Sequence, residues 1–285
     1  MIDIIQQRLS SYRPENGQHA DQAMKEIAQE VALYGLWRSG FFRQAAFQGG
    51  TSLRILHGLP RFSEDLDFIL KHPDAPFDWS QHCDVLTECF REFGLDPEIK
   101  PTGKLDRAIR TATIKQDSIV NQLDIHYQKQ RSSRKLKIKL EIDVKPPQGS
   151  EFEYSFLDFP IDFEVCHQDL PSNFSLKIHA LLCRPWTKGR DWYDFAWYTR
   201  RQVVPNFLLL ENALAQTGSW SASKPTVDAD WLASVLNDRV KDIDWQDVSE
   251  DVQRFLSPLE QRSLSLWNTR FFQHKISRLR DYCNK

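Results

Sequence analysis

The sequence predicts a mixed α/β (α+β) chain, with an N-terminal half of helices and strands and a C-terminal half of helices. Three observations predict it. Residues 136–145 alternate strictly: Leu136, Ile138, Leu140, Ile142 and Val144 are apolar, and Lys137, Lys139, Glu141, Asp143 and Lys145 are polar. That is the period of a strand with one buried face. Residues 21–42 carry Met24, Ile27, Ala28, Val31, Leu33 and Leu36 on or near one helical stripe. From Asn173 onward the apolar pattern is helical.

The elements follow in order. After the first helix, Phe47-Gln-Gly-Gly-Thr-Ser-Leu sets two glycines ahead of Thr51 and Ser52. This predicts a tight turn feeding a short helix, which Gly58-Leu59-Pro60 stops. Residues 62–70 alternate enough for a strand, with Leu66 and Phe68 on one face and Asp65 and Asp67 on the other. A helix is expected over 77–94, ended by Gly94, and then the strands of a meander at 110–114, 118–126 and 136–144. Pro146-Pro147 breaks the last strand, and 151–170 reads as a connector. Residues 174–184 predict a helix capped by Ser172 or Asn173 and closed by Pro185. Further helices are expected at 190–201, 206–216, 226–240, 246–256 and 258–283. The division that follows is an N-terminal helical segment (1–45), a core (46–170) and a helical C-terminal region (171–285).

Composition bounds the function. The 285 residues suffice for a large core, and 41% hydrophobic with 27% charged residues is ordinary for a globular protein. No apolar run approaches the roughly 18 residues of a membrane span. The five cysteines, Cys83, Cys89, Cys166, Cys183 and Cys283, form no CxxC pair, and Met1-Ile-Asp-Ile-Ile is unlike a secretion signal. A cytoplasmic location is therefore expected. Most of the 9 Trp and 18 Phe are read as helix packing, with some Trp half-exposed at a groove or interface. The net charge is −2, yet residues 100–145 hold twelve Lys or Arg against five Asp or Glu. That stretch reads either as a phosphate-facing surface or as solvated strand lysines.

The chemistry-bearing constellation is Gly49-Gly50-Thr51-Ser52 followed by Asp65-x-Asp67. A glycine turn with free N–H groups and a hydroxyl suits the phosphates of a nucleoside triphosphate. Two carboxylates two residues apart on a strand point the same way and suit Mg²⁺ ions that bridge those phosphates. A third carboxylate would come from the polar face of 136–145, as Asp143, Glu141 or both. Lys177 and Arg184 share a helix face, and Asp191 and Asp194 share a face of the next. Lys177 suits a triphosphate as a point charge, and Asp191 and Asp194 suit orienting it or holding the nucleotide. The alternative is a salt-bridge network among Lys177, Arg184, Arg190, Asp191 and Asp194. His57 and His179 lack partners at ligand spacing and read as core or surface residues. No GxSxG, HExxH or GxxxxGK[ST] occurs, which removes the α/β-hydrolase, zincin and P-loop readings at the motif level.

In the order Phe47-Gln-Gly-Gly-Thr-Ser-Leu, Gly-Leu-Pro-Arg-Phe-Ser-Glu-Asp-Leu-Asp-Phe, Lys177, Arg184 and Arg190-Asp191-x-x-Asp194, the chain resembles the AbiEii nucleotidyltransferase toxins. These act in bacterial type IV toxin–antitoxin and abortive-infection systems. The resemblance implies a DNA polymerase β-like nucleotidyltransferase core with a helical C-terminal region. It implies Mg²⁺ at Asp65 and Asp67, the Gly-Thr/Ser turn at Gly50, Thr51 and Ser52, the lysine motif at Lys177, and the last motif at Asp191 and Asp194. It further implies transfer of a nucleotide from an NTP to RNA, tRNA acceptor ends included, a block of translation, and a cognate antitoxin encoded nearby. Two other functions share the same residues: nucleotidyl transfer to a protein hydroxyl, and a silent nucleotide-binding interaction module.

Overall fold

The computed structural model describes residues 2–73, 77–102, 108–116, 136–223 and 225–285. The strand expected at 118–126 and much of the basic stretch lie outside them. Two compact units form: Met1–Ser52, Phe62–Pro146 and Glu153–His167 in the first, and Leu53–Arg61, Pro147–Phe152 and Gln168–Lys285 in the second.

In the first unit, α1 (Ile2–Ser11) leads into α2 (Gly17–Arg38), which Asn16 caps by accepting from the His19 N–H. The stripe expected on α2 is wider in fact: every residue over 26–36 is buried. The polar side of α2 is covered because Arg8 of α1 pairs with Glu30, and Tyr12 donates to Glu26 at 2.9 Å. α2 ends at Arg38 rather than 42, and a 3₁₀ turn over Phe41–Arg43 precedes the sheet.

The sheet contains β1 (Ala45–Gln48), β2 (Leu66–Leu70), β3 (Glu98–Thr102), β4 (Ile109–Gln116), β5 (Leu136–Asp143), β6 (Phe152–Leu157) and β7 (Phe163–Gln168), in the order β3-β4-β5-β2-β1-β7-β6. β1 pairs antiparallel with β2 and parallel with β7, while β2 pairs parallel with β5. The helix α3 (Gly49–His57) follows β1 directly, and α4 (Ser80–Glu92) packs on α2. A Cβ on Gly35 of α2 would lie 3.0 Å from Leu86 of α4, so the two backbones approach closely. Phe41, Phe68 and Trp79 pack edge-on and stacked beneath the sheet. The 151–170 connector is in fact the strands β6 and β7.

The second unit holds α5 (Leu170–Cys183), α6 (Gly189–Arg200), α7 (Phe207–Gln216), α8 (Ala229–Arg239), α9 (Trp245–Gln253), α10 (Pro258–Gln261) and α11 (Thr269–Cys283). α5 starts earlier than the sequence suggests, because Asp169 caps it by accepting from the Ser172 N–H, with Pro171 in its first turn. The single helix expected over 258–283 is three pieces: α10, a 3₁₀ turn over Arg262–Leu266, and α11, capped afresh by Asn268. An aromatic core fills the unit, with Phe174 stacked on Tyr198 at 4.2 Å and Trp245 on Phe272 at 4.2 Å. Among the described residues no helix is long and apolar enough to cross a membrane.

Candidate active site

Alternation along β2 buries Leu66 and Phe68 fully and leaves Asp67 on the other face, half-buried, with Asp65 one step before the strand. Register then decides what stands beside Asp67. On one side it pairs with Gln48, the last residue of β1; on the other it pairs with Glu141 of β5, while Asp143 pairs with Ile69. Aligned residues of a parallel pair face the same way, so Glu141 is the direct neighbour of Asp67 and Asp143 lies one step further. An Asp143 oxygen accepts the Lys145 N–H at 2.8 Å, and burial raises the Asp143 carboxyl above its usual range against that bond.

The turn leading to α3 is built against this pair. Gly49 has φ +77°, and a Cβ there would come 2.6 Å from Asp67 Oδ2, so glycine alone lets the carboxylate rest on the turn. Gly50, Thr51 and Ser52 open α3 and are buried. Thr51 Oγ1 donates to the Asp65 carbonyl, and Ser52 Oγ donates to the Gly49 carbonyl at 3.0 Å. The Thr51 proton thus ties the turn to the residue that enters β2, and the Ser52 proton closes the turn on itself. Burial raises the Asp65 carboxyl above its ordinary value; Lys25 opposes the rise, Glu141 and Glu64 add to it, and Lys139 opposes it. Lys139 pairs with Glu141 at 2.7 Å, and Lys25 with Glu64 at 3.5 Å.

The donors here are all oxygen, the chemistry a hard divalent cation prefers. Among the described residues no three His, Cys, Asp or Glu side chains gather closely enough to hold an ion alone. The carboxylates fit an ion that takes one or two protein oxygens and completes its shell with phosphate and water, the coordination typical of Mg²⁺.

The second set of residues forms an ion network within the helical unit. Lys177 Nζ lies 2.9 Å from Asp194 Oδ2 and 3.5 Å from Asp191 Oδ1, and Arg184 pairs with Asp191. The network includes one residue the sequence reading missed. Arg61 makes a fork of bonds to Asp194, Nε at 2.7 Å and Nη2 at 2.6 Å, with both side chains buried. Burial alone would raise the Asp194 carboxyl, but Arg61 and Lys177 hold it below the usual carboxylate range. The Arg190 guanidinium also lies over the Phe255 ring, 4.5 Å from its centre. His179 Nε2 sits 3.2 Å from the Thr217 carbonyl, as a structural histidine would. Arg61 had no spacing signal, standing alone between Pro60 and Phe62.

Comparison with known proteins gives the family and the fold. The family model "Nucleotidyl transferase AbiEii toxin, Type IV TA system" matches residues 31–272. Among solved structures, the chain is similar to MenT4, nucleotidyltransferase toxin Rv2826c from Mycobacterium tuberculosis H37Rv, at TM-score 0.53 and 17% identity, covering 96% of this chain and 98% of that one. A putative nucleotidyltransferase from H. pylori also aligns, at TM-score 0.46 and 16% identity over 91% of this chain and 92% of that one. No curated protein sequence matches. MenT4 shares the fold, and the family match spans most of the 285 residues. The chain belongs to the AbiEii nucleotidyltransferase toxin family of type IV toxin–antitoxin systems.

Proposed function

We propose that this transferase moves an NMP from an NTP to the 3′ hydroxyl of an RNA, with tRNA as the acceptor, in an Mg²⁺-dependent reaction. The outcome is a block of translation in the cytoplasm, countered by a cognate antitoxin. The observation that carries the reading is Asp67, set between the Gly49 turn and Glu141 by strand register, with Asp65 beside it. When bound, Mg²⁺ supplies Lewis acidity and neutralises phosphate charge. Asp65 and Asp67 would supply its protein oxygens, and Glu141 or Asp143 would be the third carboxylate of the site, adding negative charge beside it. Burial is the main reason the Asp65 carboxyl lies above its usual range, against the pull of Lys25.

The Gly49–Ser52 turn is assigned to the nucleotide's phosphates, and Thr51 and Ser52 hold its shape through their backbone bonds. Lys177 is assigned to the triphosphate, with Arg184, Asp191 and Asp194 setting its position. Lys177→Ala is accordingly expected to raise the KM for NTP with a smaller loss of kcat. An unchanged KM would reduce Lys177 to a structural ion pair.

The direct test incubates the protein with each labelled NTP and Mg²⁺, once with total tRNA and once with cell lysate. Label that runs with RNA and disappears on RNase treatment supports the proposal. Label that runs with protein and survives RNase would move the acceptor to a protein hydroxyl, and no label with any of the four NTPs would reject nucleotidyl transfer to either.

A further inference from the structure

A cavity of about 660 Å³ opens on the first unit, lined by Trp37 and Arg38 of α2, Arg43 ahead of β1, Tyr154 of β6 and Glu164 of β7. It lies at the opposite end of β1 from the carboxylates. Arg43 precedes Ala45, the first residue of that strand, whereas Gln48, the last, pairs with Asp67. The cavity is therefore distinct from the nucleotidyl-transfer residues.

Its rings are held rigidly yet left open. Trp37 is 41% exposed and Tyr154 57%. Trp37 stacks on Tyr34 at 5.9 Å and leans on Phe163 at 6.2 Å. Lys71 Nζ sits 5.3 Å from the Tyr154 ring centre, 3.2 Å from its hydroxyl and 2.9 Å from the Phe42 carbonyl. A core would bury such rings; rigid aromatic surface turned to solvent is what stacking onto a flat ligand needs. The charges beside them differ in use. Arg38 is bound to both oxygens of Glu92 at 2.7 Å each. The side chains of Arg43 and Glu164 have no hydrogen-bond or ion-pair partner among the described residues.

Two open rings, a free guanidinium and a free carboxylate in one cavity match the parts of a nucleotide. We propose that this cavity is a subsite for one nucleotide of single-stranded RNA, with the base on Tyr154 and Trp37, the phosphate on Arg43, and Glu164 accepting from a base amino group. Stacking tolerates any base, and a carboxylate acceptor adds a preference for bases that carry an amino donor. A protein partner fits the same rings less well, because it would leave Arg43 and Glu164 to be paired separately. The subsite rests on the RNA-acceptor reading and gives it a second point of contact, away from the reacting end.

The test measures binding without catalysis, as fluorescence anisotropy of a short labelled single-stranded RNA on the full chain at several salt concentrations. Tyr154→Ala is expected to weaken binding by about tenfold, whereas Tyr154→Phe, which keeps the ring, binds like wild type. Arg43→Gln should reduce the slope of log K against log salt by about 0.7, the loss of one phosphate contact on a single strand. Wild-type affinity and salt slope in both Tyr154→Ala and Arg43→Gln would overturn the subsite, as would a wild-type protein that binds no RNA. If the variants weaken binding but wild type transfers no nucleotide to RNA, the subsite stands and the transfer reading fails.

Discussion

Gly49 does two things that no other residue could do in its place. Its φ of +77° lies where side chains are disfavoured, and a Cβ would press to 2.6 Å from Asp67 Oδ2. Gly49→Ala should cost about 1–3 kcal/mol in stability and, by moving the carboxylate, lower nucleotidyl transfer about tenfold or more. Thermal melts and initial rates on the same preparation check this; a destabilised variant with full activity would show that the turn does not place Asp67. His82 carries a different kind of prediction. Phe41, Phe77 and Trp79 surround it, Nδ1 sits 2.8 Å from Ser39 Oγ, and Nε2 is buried with no hydrogen-bond partner among the described residues. Burial lowers its pKa from 6.5 to about 4. The unfolded chain therefore binds a proton that the folded one refuses, so this contribution is complete above pH 6.5 and is lost as pH falls toward about 4. Melting temperatures of His82→Leu should depend less steeply on pH across that window than wild type, and an unchanged slope would place the acid sensitivity elsewhere. At this scale the sequence was readable where period and side-chain type coincide, as at Asp65 and Asp67. It was silent on Arg61, whose partner Asp194 is 133 positions away.

Register is a property of elements, and it separates two residues that composition could not. β2 and β5 run parallel with Asp67 across from Glu141 and Ile69 across from Asp143. Glu141→Gln should therefore depress transfer about tenfold or more below Asp143→Asn, whose oxygen already serves the Lys145 N–H. Equal losses, or the reverse order, would show that the third carboxylate is not chosen by register. Among the helices, Arg61 and Asp194 form a buried fork that Lys177 shares. Arg61→Met leaves Asp194 with one cation and should cost about 3 kcal/mol, and the double variant with Asp194→Leu should regain part of it. Denaturant midpoints of the two variants decide this, and a single variant as stable as wild type would contradict it. Elements were legible where alternation was clean, as in β5. They were lost where it was not: β6 is an edge strand with Tyr154 and Phe156 exposed, β7 buries His167 and Gln168, and β1 has only four residues. The helical pattern over 258–283 hid the Asn268 cap because the apolar spacing runs on through it.

At the scale of the whole molecule, a sheet unit carries the carboxylates and an aromatic helical unit carries the Lys177 network. The family match runs through both, from residue 31 to 272. The order of motifs along the chain was enough to suggest the family, since motif order survives where helix boundaries blur. What motif order leaves open is which side chains do the chemistry. The measurement that tests the assignment most directly is transfer of label from NTP to RNA by the Asp65→Asn, Asp67→Asn double variant, with circular dichroism confirming its fold. The account predicts wild-type secondary structure with transfer reduced by about 100-fold or more; a folded double variant that transfers label within a few-fold of wild type would contradict it.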